Sequence, residues 1–264
     1  MSNYVNNISI HGLMNRFAFL NDKYPLSYYK VKNKSKVVIC KDKISEEEEK
    51  KYKYISYMYL DNDPGIKGAY FKNNVLSIID SGFFNGMPGN KYRHIRHAVN
   101  CWKDKISIGI LSKENLDDVL EMIEKWKWDE NGGYKYHWQE HAGIDKTLVN
   151  KICNKEVDDI LGLVFYYNDE CVAYSTISII PNIVDDIPEF HYVTRKVRIK
   201  KDLKHLTEFV DWKTFSIIYW MFCEKDFIIN WGASDGGVYW YKTHKWPLYK
   251  LEPTWFVSFY PNGK

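Results

Sequence analysis

Gly89-Asn-Lys-Tyr-Arg-His-Ile-Arg-His-Ala-Val-Asn-Cys-Trp-Lys103 reads as one basic helix. Tyr92, Ile95, Val99 and Trp102 recur at i, i+3, i+7 and i+10, a single apolar stripe at helical period. Arg93, Arg96, His97 and Asn100 fall on the other faces. Directly after it Ile106–Leu111 reads as a short strand and Ser112 as an N-cap. Lys113–Trp128 then reads as a helix that buries Leu116, Val119, Leu120, Ile123 and Trp126. A helix that closes one series of elements, followed by a fresh strand and helix, marks a boundary near residue 105. It divides the chain into residues 1–104 and 105–264.

Working outward, the first part alternates strand-like runs with polar turns. Ser27–Lys32 and Ser35–Lys41 are two such runs, and Ser45 with Glu48 has the spacing of a capping box. In the second part Asp129-Glu-Asn-Gly-Gly133 is a loop. Ile160–Tyr167 and Cys171–Ile180 are strands joined at Asn168-Asp169-Glu170, a hairpin signature. Phe190–Ile199 is a further strand, Leu206–Cys223 a long apolar helix and Phe227–Trp231 a strand. Gly232–Gly237 is a loop, Val238–His244 a short helix and Thr254–Phe259 a last strand. This order predicts a mixed α/β fold with largely antiparallel sheets.

Bulk properties narrow the function. Of 264 residues, 45% are hydrophobic and 27% charged, values of a globular chain rather than a disordered one. The net charge of +3 excludes a nucleic-acid coat that binds by bulk charge, so any anion site must be local. The longest apolar runs, such as Phe215–Phe222, fall well below the roughly 20 residues a bilayer needs. Met1-Ser-Asn-Tyr-Val-Asn-Asn7 lacks a leader pattern. Five widely spaced cysteines (Cys40, Cys101, Cys153, Cys171, Cys223), with no C-x-x-C pair, fit a reducing compartment. A cytoplasmic protein without a membrane span is expected.

Three segments carry a resemblance. Lys91-Tyr-Arg-His-Ile-Arg-His-Ala-Val-Asn100, running into Leu111-Ser-Lys-Glu-Asn-Leu-Asp-Asp118, is similar to a K-[FY]-x-x-x-R-x-x-x-N junction helix. Glu140-His-Ala-Gly-Ile144 and Leu161–Ala173 resemble an E-x-x-A-I helix and a G-x-x-x-x-x-D-G-x-x-V-A hairpin. Ile229-Asn-Trp-Gly-Ala-Ser-Asp-Gly-Gly237 with Lys242 and Pro247 resembles an N-x-x-x-D-x-G…K…P finish. Together, over about residues 20–260, they resemble the GNAT-like acyltransferases. Within these, the aminoacyl-phosphatidylglycerol synthase catalytic-domain family is the nearest. The resemblance implies a tandem GNAT-like fold whose catalytic cleft lies in residues 105–264. It also implies transfer of an acyl or aminoacyl group from an activated donor, acyl-CoA or aminoacyl-tRNA, to an amine or hydroxyl. No tightly bound cofactor and no metal are expected.

The candidate site residues follow. Glu189 and His191 flank the start of one strand, where a base takes the acceptor's proton. Asp235, Lys242 and Tyr241 follow the glycine-containing loop, with Tyr241 as proton donor to the leaving group. Asn230, Trp231 and Gly232 line the same loop, and Arg93, Arg96 and Asn100 on the junction helix complete the substrate-binding set. Arg195, Lys196, Arg198, Lys200, Lys201 and Lys204 put six cations in ten residues where the fold binds its donor. This stretch has no glycine, so side chains rather than a backbone cradle must hold donor phosphates. That makes room for a donor as large as aminoacyl-tRNA. Two alternatives stand beside transferase activity. One is modification of a nucleic-acid base, with tRNA or DNA as partner and the surplus aromatic rings stacking an extruded base. The other is a catalytically silent binding protein. His137-Trp-Gln-Glu-His141 matches H-x-x-E-H, but it fits the E-x-x-A-I helix better and lacks a third ligand.

Overall fold

A computed structural model of the chain describes residues 27–30, 35–40, 45–50, 54–60, 70–128, 135–157, 159–179, 181–198, 200–222, 225–234 and 236–259. The strands are β1 (Ser27–Lys30), β2 (Ser35–Cys40), β3 (Tyr54–Leu60), β4 (Tyr70–Ile79), β5 (Ser107–Ile110) and β6 (Ile160–Tyr167). They continue with β7 (Glu170–Ser178), β8 (Asn182–Val184), β9 (Ile187–Val197), β10 (Phe227–Ser234) and β11 (Leu248–Phe259). The helices are α1 (Glu46–Glu49), α2 (Ser81–Phe84), α3 (Arg93–Trp102), α4 (Leu116–Trp128), α5 (Lys135–Cys153), α6 (Leu206–Met221) and α7 (Gly236–Lys245).

The strands hydrogen-bond in the order β1-β2-β3-β11-β4-β10-β9-β7-β6-β5, with β8 beside β9. Among the described strands only β2–β3 and β9–β10 are parallel; the other pairings are antiparallel. β4, long before residue 105, lies between β10 and β11, both long after it. The apolar stripe of α3 is buried as expected, through Tyr92, Ile95, Val99 and Trp102. With α6 it covers one face of the sheet, packing on Phe165, Ile177, Phe190 and Ile229. α4 and α5 cover the other face, over Leu111, Val164 and Tyr174. The hairpin between β6 and β7 turns on Asn168 and Asp169, at φ 49° and 61°, the left-handed geometry that Asn and Asp tolerate best.

Some boundaries differ from the sequence reading. α4 begins at Leu116 rather than Lys113. Ser112 to Asn115 form a turn of their own, in which the Asn115 side chain accepts from Ser112 N–H at 2.9 Å. The last strand starts six residues earlier than Thr254, at Leu248, because pairing with β4 overrides the local breaker signal of Pro253.

Candidate functional site

The site is organised by one parallel pairing that stops. β9 and β10 pair at Glu189↔Ile228, Phe190↔Ile229 and His191↔Asn230. Beyond that point each strand carries a bulge. In β10 the register against β4 slips between Asn230 and Ala233, with Gly232 at φ 75°, a backbone that only glycine adopts without strain. In β9 the register against β7 slips between Tyr192 and Thr194. From there β9 pairs with β7 and β10 with β4, so the sheet opens between them.

Three clusters of the expected residues surround the opening. Phe190 and Ile229 face α6, so by strand alternation Glu189, His191 and Asn230 point to the opposite face. All three are fully buried. Asn230 Nδ2 donates to Glu189 Oε1 at 2.6 Å, while Asn230 Oδ1 accepts from Gly232 N–H at 2.9 Å. The asparagine thus ties the carboxylate to the bulge. His191 Nε2 is 3.3 Å from Glu189 Oε1 but out of hydrogen-bond alignment. Burial pushes the imidazole down to about 3, so it is neutral.

The β9 bulge builds the second cluster. Tyr192 and Arg195 are three apart and fall on opposite faces of a regular strand; the extra residue brings both to α6. There Asp211 accepts from Tyr192 OH at 2.7 Å, from Tyr241 OH at 2.8 Å and from Arg195. The Arg195 guanidinium also lies over the Tyr241 ring, 5.2 Å from its centre. Burial pushes the Asp211 carboxyl up, and Arg195 and the two hydroxyls pull against it. Burial and the Asp211 charge hold both tyrosine hydroxyls protonated. Tyr241 therefore commits its proton to Asp211.

The third cluster is Lys242 on Trp231. Lys242 Nζ donates to the Trp231 carbonyl at 2.7 Å, inside the bulge where β10 has left the regular ladder. The Trp231 indole donates to Ser77 Oγ at 2.9 Å and its ring packs among Tyr192, Phe215 and Trp246. Asp235 lies outside the described residues, at the step from β10 into α7.

The basic run is largely paired within the chain. Besides Arg195, Lys196 is 3.0 Å from Asp145 on α5 and sits over the Trp126 ring. Arg198 and Lys200 lie 2.9 and 3.1 Å from Glu170 on the β6–β7 hairpin. Burial alone would raise the Glu170 carboxyl, yet Lys200, Arg198 and Lys125 bring it below its ordinary value. Lys201 is exposed in a tight turn, Lys201–Leu203. On α3, Arg93 and Asn100 are exposed, and Arg96 donates to the Met87 and Gly89 carbonyls, bracing the loop that enters the helix. His137, Glu140 and His141 lie in α5, and their side chains are outside the described set. Among the described residues no group of three or more His, Cys, Asp or Glu is placed to hold a metal. No helix among them is long and apolar enough to cross a membrane.

Sequence reasoning missed Asp211, Asp145, Glu170 and Tyr192. Asp211 left one signal, an acid on the apolar face of a helix between Val210 and the Thr214-Phe215 pair. The other partners are brought in by tertiary structure alone.

No protein-family model matches the chain, and no curated protein matches it in sequence. Solved structures do match. A conserved protein of unknown function from Bacteroides thetaiotaomicron VPI-5482 superposes with a TM-score of 0.57 at 12% identity, over 97% of this chain and 92% of that one. L-PGS from Bacillus licheniformis superposes with a TM-score of 0.52 at 13% identity, over 93% and 86%. At such identities the likeness is one of fold. The chain has a mixed α/β fold with a largely antiparallel sheet.

Proposed function

We propose that the chain is a transferase that moves an acyl or aminoacyl group from an activated donor to an amine or hydroxyl. The observation that carries this reading is the opening between β9 and β10, with Glu189, His191 and Asn230 fixed at its apex. A donor carbonyl seated there meets an acceptor beside a carboxylate and a neutral imidazole. The acceptor nitrogen or oxygen attacks the carbonyl carbon, the bond to the donor's leaving group breaks, and the acceptor's proton passes to the Glu189–His191 pair. Within that pair the Glu189 carboxylate takes the proton, and His191, 3.3 Å away, stays neutral. Lys242 acts as a positioning residue, because it holds the Trp231 carbonyl and with it the bulge. The Asp211 cluster clamps α6 and α7 to β9. Asp235 is assigned to orienting the acceptor amine.

Acyl-CoA is the favoured donor. Arg195, Lys196, Arg198 and Lys200 are in ion pairs within the chain, which leaves Lys201 and Lys204 of the run for donor phosphates. A nucleic-acid backbone is better served by an unpaired basic track, so this pairing counts against aminoacyl-tRNA and DNA. The test is amine-dependent release of free thiol from acetyl-CoA, run over a panel of primary amines. Glu189→Gln is expected to lower the rate at least about 100-fold while the chain stays folded. Absence of both thiol release and any thermal shift with CoA overturns the reading.

A further inference from the structure

The outer edge of the sheet presents a second built feature. Among the described residues β5 ends the strand order and pairs only with β6. Leu111 N–H donates to the Gly162 carbonyl at 2.9 Å. Continuing the register Ile110↔Leu163 and Gly109↔Val164, Gly109 and Leu111 turn their main-chain groups to β6. The residues between, Ile108 and Ile110, turn theirs outward. Asn115 Nδ2 donates to the Ile110 carbonyl at 2.9 Å and closes the edge there. Ile108 N–H, Ile108 C=O and Ile110 N–H face outward beside a groove of about 450 Å³ between β5 and α6.

The groove has a consistent chemistry. Ile108 and Ile110 form one wall, Trp212 and Ile217 the other, and the only charges in its lining are Lys103 and Lys213. Natural sheet edges are usually blunted by lysine, proline or a bulge. Here the outward position carries Ile110, 67% exposed. Three and four residues beyond Ile217 on α6, Trp220 and Met221 are 67% and 50% exposed, so the apolar track continues past the groove.

We propose that this groove binds an extended partner peptide, apolar with interspersed acidic residues, which joins β5 as an added strand. Its main chain pairs with Ile108 and Ile110. Alternate side chains enter the groove, and its acids meet Lys103 and Lys213. The outward main-chain groups along the apolar wall favour a peptide over an anionic amphiphile, which uses the wall and the lysines but not the strand edge.

The test uses the full chain and a fluorescent, end-blocked peptide of alternating glutamate and valine, followed by anisotropy. Ile108→Pro removes an outward N–H that the β5–β6 ladder does not use, a change edge strands tolerate. It is expected to weaken binding at least about tenfold, with the melting temperature confirming the fold. Lys213→Glu is expected to weaken binding comparably at low salt and less at high salt. Should Ile108→Pro fail to fold, Ile110→Asp is the substitute, with the same expected loss. Failure of the wild-type chain to bind the peptide overturns the proposal. So does undiminished binding by the folded Ile108→Pro chain. Binding of dodecanoate, insensitive to Ile108→Pro, in a chain that ignores the peptide assigns the groove to an amphiphile and also overturns it.

Discussion

Replacing His191 with glutamine removes a group that titrates differently in the folded and unfolded chain. His191 is fully buried, and its pKa lies at about 3 against an ordinary 6.5 because burial penalises the charged ring. Between these values the unfolded chain binds a proton that the folded chain refuses. Stability therefore rises with pH through the window: the contribution is complete above pH 6.5 and is lost as the pH falls toward 3. From pH 7 to pH 5 the unfolded ring goes from about a quarter protonated to almost fully protonated, about 0.7 of a bound proton on average over the interval, and the folded ring gains almost none. At about 1.4 kcal/mol per pH unit, the loss over that interval is about 2 kcal/mol. Urea unfolding of the wild-type and His191→Gln chains at both pH values measures it. The wild type should lose about 2 kcal/mol more than the variant on acidification. Equal losses in the two chains would refute the reasoning and mean that His191 is protonated in the fold.

Lys242→Met leaves the Trp231 carbonyl without its ammonium partner in a buried bulge. It should cost about 1–3 kcal/mol, read as a melting temperature lower by several degrees; an unshifted melt would show that the bulge holds itself. Gly162→Ala places a methyl group 2.6 Å from Leu111 Cβ and 2.7 Å from Leu111 Cδ2. It should push β5 off β6 at a cost of about 1–3 kcal/mol, with faster hydrogen exchange at the Leu111 amide as the local readout.

Local pattern carried much of the fold. The α3 stripe, the Asn168-Asp169 turn and the strands on either side of it were legible, since each rests on neighbours within a few residues. β4 was not. Lys72, Asn73 and Asn74 have low strand propensity, and what makes them strand is pairing with β10 and β11, far along the chain. The site was legible by residue type and not by partnership. Glu189, His191 and Asn230 were each singled out, and the parallel pairing brings them together. The basic run looked like free charge because its neutralising acids lie on α5, α6 and the β6–β7 hairpin. Neither bulge left a mark in the sequence apart from Gly232, yet the bulges decide which side chains share a face.

The place of β4 between β10 and β11 also has a consequence in time. Pairs such as Ile79↔Phe227 and Tyr70↔Phe256 join one segment to others made much later. At synthesis rates of roughly 5–20 residues per second, β4 leaves the ribosome on the order of ten seconds before either neighbour exists. Throughout that interval it has no native strand to pair with, and its apolar Val75–Ile79 run offers a template for wrong pairing. Closing so long a loop is also slow in refolding from denaturant. The sheet is thus completed only once β10 and β11 have been made, and a ribosome stalled before Phe227 releases a product whose β4 has neither of its native partners.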